Sequence, residues 1–375
     1  MELALNLDQQ LFHETTQKFL DTEAASAVVR ALQEEPDGFR REYWRAACEL
    51  GWTAMLVPEA HGGGSITDRP LADLAVVAEE IGRHVAPGPF LACNLAAVAV
   101  TECGSTEQQE ALLPGLVGGD TIATWCPAEA LPNARGDRAP VTATPVDGDF
   151  VLDGVAPFVE AAQQADWLVV SARTGDTITQ FVVPRETPGL LVRPLECLDL
   201  VRRLGDVELQ GVRLPASSVL GSVGAGAEAV ERQLQVAAAL QCAETAGAVG
   251  RVFDFTLEYV SARFSFGRPL ASYQAIKHRF ADMRLWVECC FATSAAAIDA
   301  VQDRVSDAGE LVSVAASYVG DRSTAVIQEC VQMHGGMGVT WEHDIHLFLR
   351  RATVNRSLYG TPREHRARIA TSLGM

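Results

Sequence analysis

Positive charge is scarce in this chain of 375 residues. The sequence has 48 aspartates and glutamates against 30 lysines and arginines, which gives a formal net charge of -18 at pH 7. A surface of that sign repels nucleic-acid phosphates and anionic lipid headgroups. We therefore exclude nucleic acid and membrane surfaces as partners, and a site for a phosphorylated ligand must be a local basic patch.

Long apolar runs and paired metal ligands are also missing. Apolar stretches such as 95–100 and 236–240 are far shorter than the roughly 20 residues of a membrane-spanning helix. The first eight residues lack the basic start and apolar core of a secretory signal. The nine cysteines show no Cys-x-x-Cys spacing, and the histidine pair at His343 and His346 has no third ligand at a recognised spacing. These absences predict a cytoplasmic protein without a metal site.

Apolar residues are abundant, and their spacing divides the chain into three parts. Helical spacing continues from about residue 8 to 117, short β-branched runs such as Thr177–Pro184 follow, and long alanine-rich periodic stretches return after residue 224. Those last stretches, at 230–262, 273–303 and 310–332, are typical of a helical bundle. We predict an N-terminal α-helical domain at 1–120, a middle β domain at 121–222 and a C-terminal helical bundle at 223–375.

Two short segments of the last third carry the most specific pattern. The segment 263–270 reads RFSFGRPL, and the segment 332–338 reads QMHGGMG. An arginine offers a forked set of donors to phosphate oxygens, and paired glycines let a ligand approach the backbone closely. Each feature also has a purely structural explanation, because an arginine stabilises a helix C-terminus and glycines turn the chain. Both segments together favour a ligand site.

With Gly51-Trp52 and the segment 58–63, these segments resemble the acyl-CoA dehydrogenase family over nearly the whole chain. The resemblance implies an α+β fold with an N-terminal helical domain, a middle antiparallel β domain and a C-terminal four-helix bundle. It also implies α,β-dehydrogenation of an acyl-CoA thioester with FAD. The segment 333–344 resembles actinobacterial members, including subunits of heteromeric enzymes that act on sterol side chains, which indicates lipid or steroid catabolism.

In the family, the C-terminal bundle of one subunit contacts the pyrophosphate and adenine half of its neighbour's FAD. The resemblance carries this role to a set of residues in the two segments and just after the first. The cofactor-binding residues implied are Arg263, Ser265, Phe266, Gln274, Gln332, Gly335 and Gly336.

The half of the flavin site that belongs to a subunit's own β domain departs from the family. Trp125 matches the flavin-facing aromatic, but hydroxyl residues are replaced by Ala128, Ala134 and Glu160, and a tryptophan is replaced by Phe158. A carboxylate at Glu160 near the ring would disfavour reduction of the flavin. The alternative is that Glu160 points to solvent on a turn.

The catalytic base is missing as well. Tyr359 stands where the family has its glutamate, and a phenol with a pKa of about 10 is a poor base at neutral pH. A second family position for the glutamate is Ala237 here. Glu244 lies seven residues later on the same helical face, so it is either a displaced base or a buried glutamate with a structural partner. Nearby, Arg350 and Arg351 either steer CoA phosphates or lie on a solvated face.

Three functions remain open. The first is the non-base-bearing subunit of a heterotetrameric (α₂β₂) acyl-CoA dehydrogenase, which completes its partner's FAD site. The second is a homomeric enzyme that uses a non-standard base such as Glu244. The third is a scaffold subunit without flavin. The first function requires a second subunit, and the second requires another copy of this chain. Both also require an acyl-CoA substrate and an electron-transfer acceptor.

Overall fold

The computed structural model describes residues 5–127 and 140–375, and its first third is helical. Capping boxes start two of these helices, at Asn6 with Gln9 and at Ser105 with Gln108. Trp44 and Trp52 are fully buried in the core that the helices share. The helices are α1 (Leu7–Glu23), α2 (Ser26–Ala31), α3 (Arg41–Glu49), α4 (Pro70–His84), α5 (Phe90–Cys103) and α6 (Thr106–Val117).

A mixed β-sheet follows, with a second hydrophobic core of its own. Its strands are β1 (Ala123–Cys126), β2 (Thr142–Val146), β3 (Asp149–Glu160), β4 (Trp167–Thr174), β5 (Thr177–Pro184), β6 (Leu190–Leu195), β7 (Leu204–Leu214) and β8 (Val219–Leu220). The order across the sheet is β6-β7-β3-β2-β4-β5-β8, and β1 pairs with β4.

Most pairings in this sheet are antiparallel, as predicted, and two are parallel. β1 runs parallel to β4, and β2 is parallel to β4 at its end. The Asp166 carboxylate accepts a hydrogen bond from the Ile122 amide at 2.7 Å, and the Asp166 amide donates to the Ile122 carbonyl. This double contact aligns the starts of β1 and β4, so the two strands leave the helical layer in the same direction.

The last third is a bundle of long helices. They are α7 (Gly226–Ala262), α8 (Gln274–Gln302), α9 (Ala308–His334), α10 (Ile345–Asn355) and α11 (Pro362–Ser372), and the short hairpin of β9 (Phe264–Ser265) and β10 (Arg268–Pro269) lies between α7 and α8. The predicted helix–sheet–helix order is confirmed. No helix in the described residues is long and apolar enough to cross a membrane.

α4 and α7 cross with their backbones in close approach, and this crossing positions the site described next. A Cβ at Gly82 would lie 1.7 Å from the carbonyl oxygen of Glu244, and one at Gly247 would lie 2.0 Å from that of Glu79. Only glycine fits at such a separation. The crossing fixes Glu244 against the N-terminal helices.

Candidate active site

Three of the predicted site residues lie together in the interior. The family resemblance places two of them beside the flavin ring and the third at the position of the catalytic base. Trp125 in β1 and Tyr359, after α10, have ring centroids 6.2 Å apart. The Tyr359 hydroxyl donates to the carboxylate of Glu160, at the end of β3, over 3.4 Å. The fold therefore brings the altered positions into one place.

Two arginines join this place to the rest of the molecule. Arg202, between β6 and β7, donates to both oxygens of Glu244 at 2.9 and 3.0 Å and to Asn355 at 2.7 Å. Its Nε lies 3.4 Å from the Glu160 carboxylate. Because Glu244 belongs to α7, Arg202 connects the sheet to the bundle.

Arg351 in α10 extends the charge network towards the N-terminal helices. It donates to Glu244 at 2.8 Å, pairs with Asp199 and reaches the Ala86 carbonyl at 3.3 Å. The charged members Asp199, Glu160, Arg202, Glu244 and Arg351 are all buried. We call these five residues together with Tyr359 the buried charge network; its contacts bind all three parts of the chain.

The network shifts the pKa values of its carboxyl groups in opposite directions. Burial disfavours the charged form of Asp199, but Arg351 and Arg202 outweigh burial and lower its pKa to about 2. Burial likewise opposes ionisation of Glu244, and the same two arginines lower its pKa. For Glu160, burial prevails over the attraction of Arg202 and raises the pKa. Burial and the neighbouring Glu160 raise the pKa of Tyr359 well above 10, so Tyr359 cannot serve as a base.

Very little space remains beside the network. The cavity that Glu160, Arg202, Glu244 and Arg351 line with helical residues of the N-terminal part measures about 10 Å³, which is room for about one water molecule. Pockets for organic ligands typically measure about 300 Å³ or more. In the arrangement of the described residues, a flavin ring or an acyl chain does not fit here.

Left-handed backbone conformations cluster around the network. Phe158 and Ala161, which flank Glu160, both have φ of 56°, and Tyr359 has φ of 55°. Val85, whose carbonyl also lies near Arg351, has φ of 50° although its side chain is β-branched. Such residues persist where surrounding contacts fix them, and they concentrate at functional sites. Hydrogen bonds from backbone amides fix two of them, from the Phe158 amide to the Asp206 carboxylate and from the Ala161 amide to the Arg203 carbonyl.

The residues predicted to reach a neighbour's FAD lie elsewhere, on the surface of the C-terminal bundle. Phe266 is 97% exposed at the tip of the β9–β10 hairpin, and Arg263 and Gln274 are exposed beside it. Ser265 is half-buried, and its carbonyl accepts from the Tyr273 hydroxyl at 2.9 Å. The hairpin thus presents an arginine and an aromatic ring outward.

The second predicted segment is also open to the surface. Gln332, Gly335 and Gly336 are exposed, and a Cβ on either glycine would meet no atom within 4 Å. The absence of side chains there leaves backbone groups accessible from outside. Both segments therefore have the geometry of a surface that could contact a ligand seated in another molecule.

Some sequence-based predictions need correction. Glu160 does not point to solvent but is buried, and Arg351 is not on a solvated face, since both belong to the buried charge network. Glu244 has the structural partners that its second interpretation expected. Ala128 and Ala134 lie outside the described residues. Among the residues that are described, no group of three potential ligands could hold a metal ion.

No sequence motif pointed to Arg202 and Asp199 as residues of the site. Their partners are separated from them by 42 and 152 residues, so no local spacing marks them. The available signal was weaker: three charged residues, Asp199, Arg202 and Arg203, lie in the short segment between two strands.

Comparisons with known proteins agree with this architecture. Models of the acyl-CoA dehydrogenase N-terminal and C-terminal domains match residues 6–120 and 224–374. The acyl-CoA dehydrogenase IpdE2 of Mycolicibacterium smegmatis is 32% identical over 364 residues, which cover 96% of this chain and 97% of that protein. The solved ChsE4-ChsE5 complex from Mycobacterium tuberculosis is 25% identical with a TM-score of 0.89, covering 100% of this chain and 99% of that one. The Tcur3481-Tcur3483 steroid ACAD, solved as a variant, is 26% identical with a TM-score of 0.87, covering 98% and 97%. This chain belongs to the acyl-CoA dehydrogenase family of oxidoreductases.

Proposed function

We propose that this chain is the non-base-bearing subunit of a heteromeric acyl-CoA dehydrogenase and that it completes an FAD site seated mainly in its partner. One contrast carries the proposal. Glu160 and Tyr359, at one of the chain's own ring positions and at its base position, are buried in the charge network, whereas most of the residues that would reach a neighbour's FAD are exposed. A subunit that acts only on its neighbour's cofactor needs the exposed binding residues, but it does not need a working flavin and base site of its own.

In such a complex, FAD supplies the acceptor for the hydride of the substrate, and the partner supplies the carboxylate base. This chain supplies binding groups. The Arg263 guanidinium is suited to the pyrophosphate oxygens, and the backbone at Gly335 and Gly336 allows a close approach. Phe266 adds an exposed aromatic face, and Ser265, Gln274 and Gln332 add polar contacts.

The substrate class follows from similarity. Two of the similar solved structures are a steroid ACAD and the complex of ChsE4 with ChsE5. By analogy, we assign this chain to an α₂β₂ heterotetramer of lipid or steroid catabolism, which works in the cytoplasm and passes electrons to an electron-transfer acceptor.

The candidate base named for the homomeric alternative is Glu244. Its two oxygens accept hydrogen bonds from Arg202 and Arg351 at 2.8 to 3.0 Å, and two buried guanidiniums stabilise the carboxylate and weaken it as a proton acceptor. The scaffold alternative leaves the exposed Arg263 and Gln274 without a role. The partner-subunit function explains both observations.

The test uses the chain co-expressed with a second acyl-CoA dehydrogenase chain that carries the family glutamate. Hydrogen bonds to charged groups contribute about 1.5 to 3 kcal/mol, so Arg263→Ala should weaken FAD binding by the complex about 10- to 100-fold. Arg263→Lys should retain part of the affinity, because it keeps the charge but loses the planar fork. Isothermal titration of the deflavinated complex measures both.

Arg213→Ala is the matched control, since Arg213 is an exposed arginine of the sheet, paired with Asp149 and remote from both segments. It should leave FAD affinity unchanged. An Arg263→Ala complex with wild-type FAD content and dissociation constant would contradict the proposed contact.

A further inference from the structure

The buried charge network contains one carboxyl group more than it has guanidinium groups. Asp199 and Glu244 are each held by close contacts with arginine, and Glu244 by both arginines. Glu160 is the third carboxyl, and its nearest polar contacts are longer: 3.4 Å to Arg202 Nε and 3.4 Å to the Tyr359 hydroxyl. Glu160 is therefore the surplus acid of the network.

The groups that face Glu160 come from every element packed around it. Arg202 approaches from the segment before β7, Glu244 from α7 and Arg351 from α10, and Tyr359 closes the remaining side. The two cations are already shared with Glu244 and Asp199. An ionised Glu160 would thus add a third buried negative charge to a pair of positive ones.

The position of Glu160 is nevertheless firmly fixed. Its backbone carbonyl accepts from the Thr124 hydroxyl at 2.5 Å, and its side chain lines the small cavity beside the network. The left-handed residues Phe158 and Ala161 flank it. A carboxyl group held in this way cannot turn to solvent when it ionises, so its negative charge would stay buried inside the network.

We propose that Glu160 carries a proton in the closed network and serves as a latch between the sheet and the bundle: the joint is stable while this carboxyl is neutral, and it weakens when ionisation places a third buried negative charge beside only two guanidinium groups. Burial, the main influence on this carboxyl, raises its pKa and so supports the proposal. The latch joins the end of β3 to the segment after α10. It is a pH-sensitive connection between the sheet and the bundle, independent of the proposed subunit role.

The sign of the pH effect follows from linkage. An acid whose pKa is higher in the folded state than in the unfolded state binds its proton more tightly when folded. Its contribution to stability is complete below the unfolded pKa, about 4.3 for glutamate, and is lost as the pH rises through the folded pKa. Glu160→Gln keeps a neutral side chain of the same shape at every pH, so this loss should disappear.

The first experiment compares urea unfolding of the wild-type chain and Glu160→Gln from about pH 5 to pH 9. The ratio of their unfolding equilibrium constants should change in favour of the variant by up to tenfold per pH unit between the unfolded glutamate pKa of about 4.3 and the folded Glu160 pKa, and it should level off above the folded pKa. Glu186→Gln, the same change at an exposed turn, should follow the wild-type profile. Parallel curves for the wild type and Glu160→Gln would overturn the proposal.

The second experiment does not depend on the variant's folding. Infrared difference spectroscopy of the native chain should show the carbonyl stretch of a protonated carboxylic acid that disappears on raising the pH. Burial also raises the pKa of Glu79, to about 7, so the spectrum is recorded in Glu79→Gln as well. A protonated-acid band that persists in Glu79→Gln supports the latch, and its absence overturns it. Neither result depends on FAD content, so the proposed function can fail separately.

Discussion

At the residue scale, Asp199 shows how an arginine can decide the state of a buried acid. The Asp199 carboxylate pairs with Arg351 and also accepts from the backbone amides of Val201 and Arg202 at 2.9 Å. These contacts keep the carboxylate ionised despite burial. Asp199 is therefore a structural acid, in contrast with Glu160, although the two carboxyls belong to the same network.

Replacing Asp199 by asparagine should leave the two buried arginines with Glu244 as their one ionised partner in the network. Removing one partner of a buried ion pair typically costs about 3 to 5 kcal/mol, and we expect a loss of that order at pH 7 by urea unfolding. Because burial and the arginines set the Asp199 pKa at about 2, against about 3.9 when unfolded, its contribution is present above pH 4. It is lost as the pH falls towards 2.

The difference in unfolding free energy between the wild-type chain and Asp199→Asn should therefore shrink by about 2 to 3 kcal/mol between pH 7 and pH 2. Asp147→Asn, at an exposed turn, should stay within about 0.5 kcal/mol of wild type throughout. A deficit for Asp199→Asn that does not vary with pH would show that the carboxylate is not ionised in the folded chain.

At the element scale, the crossing of α4 and α7 connects packing to the site. Gly82→Ala would place a methyl group 1.7 Å from the Glu244 carbonyl, so the helices must separate. Overpacking of this kind costs about 1 to 3 kcal/mol or more, and thermal unfolding should register it as a lower midpoint.

Gly336→Ala is the matched substitution on the exposed surface, where a Cβ meets no atom within 4 Å. It should leave the unfolding midpoint of the chain unchanged while reducing FAD retention by the co-expressed complex. Comparing Gly82→Ala with Gly336→Ala thus distinguishes a glycine needed for helix packing from a glycine proposed to contact the cofactor. Equal effects of both on the unfolding midpoint would contradict this distinction.

The elements themselves were largely predictable from the sequence, and the network was not. Stretches 230–262 and 310–332 lie inside the observed α7 and α9 because helical apolar spacing is a local property. The parallel pairing of β1 with β4 depends on a contact between residues 122 and 166, which no local pattern records. The family resemblance identified Trp125, Glu160 and Tyr359 as residues of the site. The contact of Arg202 with Glu160 joins residues 42 positions apart, so it became visible only in the folded structure.

At the scale of the whole molecule, the network joins the three parts of the chain. Arg351 reaches the N-terminal helices at Ala86, Arg202 and Glu160 belong to the sheet region, and Glu244 belongs to the bundle. Two members of the network, Glu160 and Tyr359, stand at positions to which the family resemblance assigns a flavin contact and the base. The exposed surface around Arg263 and Gly336 is where we propose a contact with a partner's cofactor.

The most direct test of this account is the FAD content of the purified chain, alone and with its partner, from flavin absorbance and protein concentration. The account predicts almost no FAD in the chain alone, because its own cavity is closed, and fewer flavins than chains in the complex. Added acyl-CoA should bleach only the complex. A chain that alone retains about one FAD per molecule and is bleached by substrate would contradict the central claim.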